Sequence, residues 1–263
     1  MNAPRVSIIT VNYNNVVGLA KTMQSVREQG YTDYEYIVID GGSTDGSKVI
    51  IEQSASWLTH WVSEKDKGIY DAMNKGIALA KGDYIIFLNS GDYFLQEKVL
   101  FTFSQHASAN YADIFYGNIL LGENNNLVHQ KYPRELTLDF WQNDTINHQA
   151  AFIKTTLFNE MGLYDQVYTL AADYAFFLKS FIRGKIFKQV DSELVYFSLD
   201  GASLRNKIRY GEEMREAWQN IVPPYLAALI NENNNFRQLM KHRLMIWATR
   251  AQRQYSRIKN LIR

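Results

Sequence analysis

Residues 37–46 read Ile-Val-Ile-Asp-Gly-Gly-Ser-Thr-Asp-Gly, an apolar run that ends in an acid and a glycine-rich turn. The run predicts a buried β-strand, and the turn predicts the start of a helix capped by Ser43 or Thr44. Open α/β sheets bind their ligands just beyond the carboxyl ends of their strands. Asp40 therefore stands where a ligand-binding carboxylate is expected.

The same pattern occurs three more times in the first 92 residues. Apolar runs lead into polar or acidic residues within 6–14, 61–66 and 84–92, and a helix is expected between the last two, from Ile69 to about Ala80. Alternating strands and helices predict a parallel sheet with right-handed crossovers. Because the ends of parallel strands share one edge of the sheet, these polar residues are expected to form one site.

The pattern changes after about residue 95, where strands and helices no longer alternate regularly. The residues predict helices at 97–107 and 172–183, strands at 114–116, 186–190 and 194–198, a hairpin or loop tip at 122–126 and an extended segment at 148–153. Both halves of the chain are expected to share one sheet.

Composition excludes several classes of protein. The 263 residues are 46% hydrophobic and 21% charged, which is ordinary for a soluble globular protein. No apolar run approaches the roughly 18 residues that a membrane span needs, and no signal-peptide core is seen, so a cytoplasmic location is expected. The absence of cysteine excludes disulfides, Cys-ligated zinc and thiol catalysis. An even basic coat is absent, which argues against a nucleic-acid partner.

Two acids at strand ends are candidate ligand-binding residues. Asp40 could bind a ribose hydroxyl or a base N–H, and alternatively it is a turn residue. Asp92 could anchor Mg²⁺ or Mn²⁺ together with diphosphate oxygens, and alternatively it is a turn acid after Ser-Gly. The first strand leads to Asn-Tyr-Asn-Asn at 12–15. This is not a Gly-x-Gly-x-x-Gly fingerprint, and a Walker A motif is also missing, which argues against a nicotinamide or ATP-hydrolysing enzyme.

Four segments in the first half resemble family 2 glycosyltransferases, which are inverting enzymes with the GT-A fold. They are Val-Ser-Ile-Ile-Thr-Val-Asn-Tyr-Asn (6–14), the stretch at 37–46, Ser-Glu-Lys-Asp-Lys-Gly-Ile-Tyr-Asp-Ala-Met-Asn-Lys-Gly (63–76) and Gly-Asp-Tyr-Ile-Ile-Phe-Leu-Asn-Ser-Gly-Asp (82–92). The second half is similar through His148-Gln149, Met161-Gly162-x-x-Asp165 and Ala171-Ala172-Asp173-Tyr174. The resemblance extends to about residue 203.

The resemblance implies a role for each matching residue. Tyr13 would lie against the nucleotide base, Asp40 would bind the uracil or ribose, and Asp66 would line the nucleotide pocket. Asp92 matches the last Asp of the family's metal-binding Asp-x-Asp signature, and Asp173 matches the catalytic base. Alternatively, Tyr13 is a rim or core aromatic, and Asp173 is an acid favoured by a helix N-terminus.

The chain departs from the family pattern at residues 89–92. Asn89-Ser90-Gly91-Asp92 stands where the family often has Asp-x-Asp or Asp-Asp, so Asp92 is the one strong ligand expected for the implied Mn²⁺ or Mg²⁺. Asn89 could coordinate weakly or bind a ribose. His148 and Gln149 are candidate contacts for the acceptor, and a purely structural role is the alternative for His148.

The resemblance also implies an architecture and a reaction. The expected fold is α/β, with a mostly parallel central sheet covered by helices on both faces and a Rossmann-like nucleotide-binding half. We expect residues 1–105 to bind the donor, residues 106–225 to bind the acceptor, and residues 226–263 to form a tail. The expected reaction moves a sugar from a nucleoside diphosphate, UDP above others, to a hydroxyl of a glycan or polyprenyl-linked acceptor in surface polysaccharide or lipopolysaccharide synthesis.

The tail has its own charge pattern. Residues 233–263 carry eight Lys or Arg and no Asp or Glu, and apolar residues recur from Phe236 to Ile262 at helical spacing. A basic amphipathic helix with a Trp can lie on an anionic membrane surface, which predicts peripheral attachment at the inner face of the membrane. The alternative is a helix packed on the body or on a second subunit in a homodimer.

Two other functions remain as alternatives. A sugar-nucleotide-binding protein without transfer activity would explain why the metal-binding motif keeps only one Asp. The presence of Asp173 argues against this function. A nucleotidyltransferase on a related sheet would usually carry a Gly-rich activating loop with Arg and Lys after the first strand. Residues 12–16 have neither feature.

Overall fold

The structure is a computed structural model that describes residues 4–123, 126–198, 206–230 and 232. The chain divides into two units, residues 1–221 and residues 222–263. In the second unit, the described residues 224–230 are helical. The predicted tail helix at 236–262 lies outside the described residues. Among the described residues, no helix is long and apolar enough to cross a membrane.

The first unit is built on a mixed sheet. Its strands are β1 (Val6–Asn12), β2 (Tyr34–Asp40), β3 (His60–Ser63), β4 (Tyr84–Phe87), β5 (Tyr93–Phe94), β6 (Ile114–Glu123), β7 (Asn126–Gln130), β8 (Ala151–Lys154) and β9 (Phe187–Ser198). The strand order is β3-β2-β1-β4-β8-β6-β9-β5, and β7 pairs with β6. β1 to β4 are parallel, β8 is antiparallel to β4 and β6, and β9 is parallel to β6. The expected α/β class is confirmed, with a sheet that is parallel over β1 to β4 and mixed beyond them.

Helices connect these strands. They are α1 (Val16–Arg27), α2 (Ser47–Ser54), α3 (Ile69–Leu79), α4 (Val99–Ala109), α5 (Leu138–Asn143), α6 (Thr155–Met161), α7 (Ala172–Ile182) and α8 (Lys207–Ile221), with a 3₁₀ turn at His148–Ala150. The helices expected near 69–80 and 172–183 are present as α3 and α7. α8 packs against α7.

The registers of β1, β2 and β4 place their carboxyl ends together. β1 is buried along its whole length, as expected for a parallel strand covered on both faces. Asn12 at the end of β1 pairs with Asp40 at the end of β2, and Ile9 pairs with Phe87 at the end of β4. The residues that follow these strands therefore meet at one edge of the sheet, as the sequence predicts.

The second half of the sheet brings β9 to the same edge. The expected strands at 186–190 and 194–198 are one strand, β9, because a shift in register against Gly117 and Asn118 lets it continue beside β6. A Cβ on Gly117 would lie 2.3 Å from a Leu194 side-chain atom, so only glycine fits at this crossing. β5 pairs with β9 and sets Tyr93 opposite Tyr196. The 89–92 segment consequently lies next to the end of β9.

Two local predictions are wrong. α2 begins at Ser47 after Gly46 in a left-handed conformation, so Ser43 and Thr44 do not cap it. The hydroxyl of Ser43 donates instead to Asp40, which draws this residue toward the strand end. His148 was expected in an extended segment but lies in the 3₁₀ turn before β8, and this turn directs its side chain toward α7.

Glu35 links three parts of the sheet from a fully buried position. Its carboxylate accepts from the Ser7 hydroxyl at 2.6 Å, from the Gly82 N–H at 3.0 Å and from the Lys81 N–H. We expect Glu35→Gln to lower the free energy of unfolding by about 1–3 kcal/mol. All three donors bond to Oε1, which a neutral amide oxygen replaces as a weaker acceptor, and an amide N–H replaces Oε2, which faces Arg5 Nη2 at 3.5 Å. Guanidinium unfolding followed by circular dichroism measures this loss.

The matched control for this change is Glu52→Gln on α2. Glu52 is exposed and its ion pair with Lys48 spans 3.9 Å. Its replacement should change the free energy of unfolding by less than about 0.5 kcal/mol. Equal unfolding midpoints for the two variants would show that Glu35 does not stabilise the sheet.

Candidate active site

One large cleft opens at the carboxyl edge of the sheet. Its volume is about 1140 Å³. The lining residues come from both halves of the first unit, and they include Tyr13, Asp66, Asn89, Asp92, His148, Gln149 and Asp173. Seven of the eight candidate site residues named from the sequence therefore line the same space. The eighth, Asp40, lies behind the wall.

Tyr13 and Asp66 form one wall of the cleft on either side of Gly41. The Tyr13 side chain is 66% exposed, so its ring is available to a ligand. Asp66 accepts a hydrogen bond from the Gly68 N–H at 3.0 Å. A Cβ on Gly41 would lie 2.4 Å from Asp66 Oδ2 and 3.3 Å from Tyr13 Cδ2. Glycine at this position is what lets the ring and the carboxylate approach the same surface.

Asp40 is fully buried at the end of β2. Its carboxylate accepts hydrogen bonds from Asn12 Nδ2 at 2.7 Å, Ser63 Oγ at 2.7 Å and both the N–H and the hydroxyl of Ser43. Burial alone raises its pKa, but these hydrogen bonds together hold the pKa below its usual value. Asp40 is therefore ionised at neutral pH and orients the side chains around it.

Asn12 connects three strand ends. Its Nδ2 donates to Asp40, and its Oδ1 accepts from the Ser90 hydroxyl at 2.7 Å. A continuous chain of hydrogen bonds thus runs from the end of β2 through β1 to the segment after β4. Asn12 is not among the candidate residues predicted from the sequence, although its place at the end of the first apolar run is the same signal that pointed to Asp40.

Asp92 is buried at the floor of the cleft. Its Oδ1 accepts from the Ser198 N–H at 2.9 Å, and its Oδ2 accepts from Gln149 Nε2 at 3.1 Å. Burial raises the pKa of Asp92 to about 6, and the two hydrogen bonds oppose this rise only in part. The Oε1 of Gln149 is buried without a hydrogen-bond partner among the described residues. Asp92 is therefore a costly buried charge at neutral pH.

Asp173 lies in the first turn of α7 and is held from two sides. Its Oδ1 accepts from the Tyr70 hydroxyl at 2.8 Å, and its Oδ2 lies 2.7 Å from His148 Nδ1. His148 Nε2 in turn lies 3.1 Å from Asn89 Nδ2. Burial raises the pKa of Asp173, but His148 and Tyr70 outweigh it and the pKa lies below its usual value. The carboxylate is ionised and can accept a proton from a bound hydroxyl.

Glu213 of α8 holds the backbone just before α7. Its carboxylate accepts from the Thr169 hydroxyl at 2.7 Å and from the N–H groups of Leu170 at 2.7 Å and Ala171 at 3.1 Å. These bonds supply the helix N-terminus with a cap that its own residues lack. No sequence signal pointed to Glu213, because its partners lie more than 40 residues away.

The structure thus groups the predicted residues into two clusters in one cleft. Asp92 and Gln149 belong to one cluster, and Asp173, His148 and Asn89 belong to the other. Gln149 is a partner of Asp92, and His148 is a partner of Asp173. Tyr70 also contacts Asp173. It lies in the stretch at 63–76 that resembles the family, but the resemblance assigns it no role.

The donor atoms at Asp92 limit the kind of metal site that can form. Across the described ranges, no group of three or more His, Asp or Glu could hold a metal ion. Mg²⁺ and Mn²⁺ can be bound through one carboxylate together with substrate phosphates and water. Asp92 fits such an ion, shared with a bound diphosphate. It does not fit an ion held by the protein alone.

The fold is shared with two solved structures. TarS of S. aureus in complex with UDP matches with a TM-score of 0.62 and 19% identity, over 74% of this chain and 60% of that structure. The mannosyltransferase PcManGT from Pyrobaculum calidifontis, in complex with GDP-Man and Mn²⁺, matches with a TM-score of 0.65 and 17% identity, over 84% of this chain and 64% of that one. The chain therefore has the GT-A fold that the sequence predicts.

Sequence comparison defines the family. An uncharacterized glycosyltransferase of Mycobacterium tuberculosis is 36% identical over 184 residues, which are 68% of this chain and 70% of that protein. The family model of Glycosyl transferase family 2 matches residues 7–169. The chain belongs to glycosyltransferase family 2 and is an enzyme of that class.

Proposed function

We propose that this enzyme transfers a sugar, with inversion, from a nucleoside diphosphate to a hydroxyl of a glycan or lipid-linked acceptor. The observation that carries the proposal is the presence of Asp92 and an ionised Asp173 in one cleft. Asp92 would stabilise the leaving diphosphate, and Asp173 would take the proton of the attacking hydroxyl. Residues 1–105 hold the donor and residues 106–225 receive the acceptor in this proposal.

The donor is proposed to lie along the wall made by Tyr13, Gly41 and Asp66. The exposed Tyr13 ring can stack on a base, and Asp66 can accept hydrogen bonds from the nucleoside. Asp40 acts on this wall through Asn12 and Ser43 rather than by direct contact in the present conformation. UDP is proposed as the nucleotide because TarS, a protein of the same fold, was crystallised with it.

The reaction needs a base but no protein nucleophile. Asp173 takes the proton of the acceptor hydroxyl while the acceptor oxygen forms its bond to the anomeric carbon. The bond from that carbon to the diphosphate oxygen breaks on the opposite face, so the configuration inverts. His148 and Tyr70 orient Asp173 during this step, and Asn89 orients His148.

A divalent ion at Asp92, when bound, would neutralise charge on the departing diphosphate. Asp92 is this chain's own contribution to that region, because the N–H groups of Ser90, Gly91 and Asp92 are hydrogen-bonded within the protein. Gln149 holds Asp92 in place, so its proposed role is to support the diphosphate side and not to bind the acceptor.

The acceptor is proposed to be a growing surface polysaccharide on a polyprenyl carrier. A Campylobacter jejuni protein that is 30% identical over 128 residues is named a GalNAc(5)-diNAcBac-PP-undecaprenol beta-1,3-glucosyltransferase, which supports this acceptor. The basic sequence at 233–263 also supports it. Peripheral attachment to the inner face of the membrane accompanies this proposal. Retention of the full chain in solution with anionic liposomes, unchanged when the chain is shortened to residue 232, would contradict it.

A second function is a sugar-nucleotide-binding protein without transfer activity. The single carboxylate at residues 89–92 favours it, and the ionised Asp173 in the same cleft argues against it. An assay of UDP release across a panel of acceptors separates the two. Binding of UDP-sugars without release would leave only the second function.

Thermal-shift measurements with nucleotide sugars test the donor proposal. We expect a UDP-sugar to raise the melting temperature, and Mn²⁺ to increase this rise, because Asp92 offers too few ligands to bind an ion without the diphosphate. Mn²⁺ alone serves as the control and should have little effect. A large shift with Mn²⁺ alone would contradict the shared metal site, and no shift with UDP-, GDP- or dTDP-sugars would contradict the function.

A further inference from the structure

Tyr70 is buried at the start of α3, where its hydroxyl meets two oxygen atoms of the second half of the chain. The hydroxyl lies 2.8 Å from Asp173 Oδ1 and 2.9 Å from the carbonyl oxygen of Leu170. Both of these atoms are hydrogen-bond acceptors when Asp173 is ionised. Burial, followed by the charge of Asp173, raises the pKa of Tyr70 well above its usual value, so the hydroxyl keeps its proton.

One proton facing two acceptors can satisfy either protonation state of the carboxyl group. An ionised carboxylate is the stronger acceptor, so Tyr70 donates to Asp173 before the reaction. Once Asp173 holds the acceptor's proton, it becomes a weaker acceptor. The Tyr70 hydroxyl can then donate to Leu170, and its oxygen can accept from the protonated carboxyl group. Tyr70 gains and loses no proton in this exchange.

We infer that Tyr70 is a positioning residue that holds the Asp173 carboxylate for proton transfer and stays hydrogen-bonded after the transfer. This inference rests on the proposed function. It extends that function because α3 belongs to the donor half of the chain, whereas Asp173 belongs to the acceptor half. The contact therefore aligns the base with the donor.

Neighbouring contacts fix α3 against the same segment. Asn74, one turn after Tyr70, donates from Nδ2 to the Tyr164 carbonyl at 2.9 Å, and its Oδ1 accepts from the Tyr164 N–H at 3.0 Å. A two-way side-chain bond to the backbone leaves little freedom for α3 to slide. α3 is therefore rigid at this point, and it positions the Tyr70 hydroxyl next to Asp173.

Four titratable side chains from different elements face Asp173. They are Tyr70 on α3, His148 on the 3₁₀ turn, Tyr164 before α7 and Tyr210 on α8. Among the described residues, the side chains that hydrogen-bond to the Asp173 carboxylate are Tyr70 and His148. The Tyr164 hydroxyl is buried with no hydrogen-bond partner among the described residues.

This arrangement offers a matched pair of variants. Tyr70→Phe removes a hydroxyl that donates to Asp173, and Tyr164→Phe removes a buried hydroxyl from a ring 5.5 Å away that donates to nothing described. The assay is UDP release from the UDP-sugar with the largest thermal shift, in the presence of Mn²⁺, as a function of pH. Carbon-13 NMR of the Asp173 carboxyl group, assigned with Asp173→Asn, gives a readout that needs no turnover.

For Tyr70→Phe we expect kcat to fall by about tenfold to a hundredfold with an unchanged donor KM. Loss of a donor to the ionised form also raises the Asp173 pKa, so the acidic limb of the pH profile and the NMR titration should both move to higher pH. Tyr164→Phe should match the wild type in all three measurements. Equal behaviour of the two variants, or a Tyr70→Phe defect confined to donor KM, would overturn the inference.

The same data separate this inference from the proposed function. A wild type that releases no UDP would overturn the proposed function, and the positioning role would fall with it, even if the NMR titration confirmed the contact. A wild type that releases UDP, together with an unaltered Tyr70→Phe variant, would overturn the inference alone.

Discussion

Asp173→Asn should lower the rate of sugar transfer by about a thousandfold while leaving donor affinity unchanged. The substitution keeps the shape of the side chain but removes the group that accepts the proton, and general-base catalysis typically contributes about 10²–10⁴-fold. The amide oxygen can still accept from His148 Nδ1, and the amide N–H can donate to the Tyr70 hydroxyl, which itself can donate to the Leu170 carbonyl. The cleft should therefore keep its form. Transfer assays and calorimetric titration with UDP-sugar measure the two quantities.

Asp165→Asn is the matched control for this loss. Asp165 is an exposed acid before α7 whose Oδ1 accepts from the Val167 N–H at 3.0 Å, a bond that an asparagine can also accept. The Asp165→Asn variant should transfer sugar at the wild-type rate. Retained turnover in Asp173→Asn, or loss of donor binding with it, would remove Asp173 from the role of base.

Asp92→Asn should make the metal-free protein more stable and at the same time weaken its donor binding in Mn²⁺. The pKa of Asp92 is raised from 3.8 to about 6, so the folded protein binds a proton there more tightly than the unfolded chain does. That extra stability is full below about pH 4, is lost as the pH rises through 6, and amounts to about 3 kcal/mol at most. The asparagine variant should lack this pH dependence.

Hydrogen bonding also predicts that the metal-free Asp92→Asn protein is more stable than the wild type at neutral pH. An asparagine at position 92 can accept from the Ser198 N–H. Once the Gln149 amide turns over, the asparagine can also donate to the Gln149 Oε1, which has no partner among the described residues. Urea unfolding in EDTA between pH 4 and pH 7 tests the stability, and Asp83→Asn, a change at an exposed turn acid, is the control. A less stable Asp92→Asn protein at pH 7, or one that binds UDP-sugar and Mn²⁺ as before, would contradict this account of Asp92.

Asp92 also shows why a charge is kept where a neutral amide would fit better. Removing an ionised group from water is expensive, and the two hydrogen bonds that Asp92 accepts do not restore its usual pKa. A residue that lowers stability at neutral pH is best explained by its use, here the binding of an ion and a diphosphate. The proposed function therefore predicts both effects of one substitution.

The sequence was sufficient for the strands at the site but not for the contacts between side chains. Parallel strands end at a common edge, so residues after β1, β2 and β4 could be brought together from their local patterns alone. The direction of the Asp40 carboxylate could not be predicted. It depends on Ser63, 23 residues further along the chain, which donates to it from the end of β3.

The second cluster was harder to predict for the same reason. Asp173 is separated by 25 residues from His148 and by 103 from Tyr70, and no local periodicity relates these three side chains. The 3₁₀ turn at His148 decides which way the ring points, and a short turn of this kind has little sequence signal. Family resemblance named Asp173, whereas the groups that set its pKa became visible only in the fold.

The carboxylate of Glu213 has a practical consequence for anyone who wishes to express a minimal enzyme. The family model stops matching at residue 169, before Asp173, and it would be natural to cut the gene soon after the last strand. A protein cut before α8 would expose the Leu170 and Ala171 N–H groups and leave the start of α7 without its partner. The shortest useful version should run through Ile221, where the first unit ends.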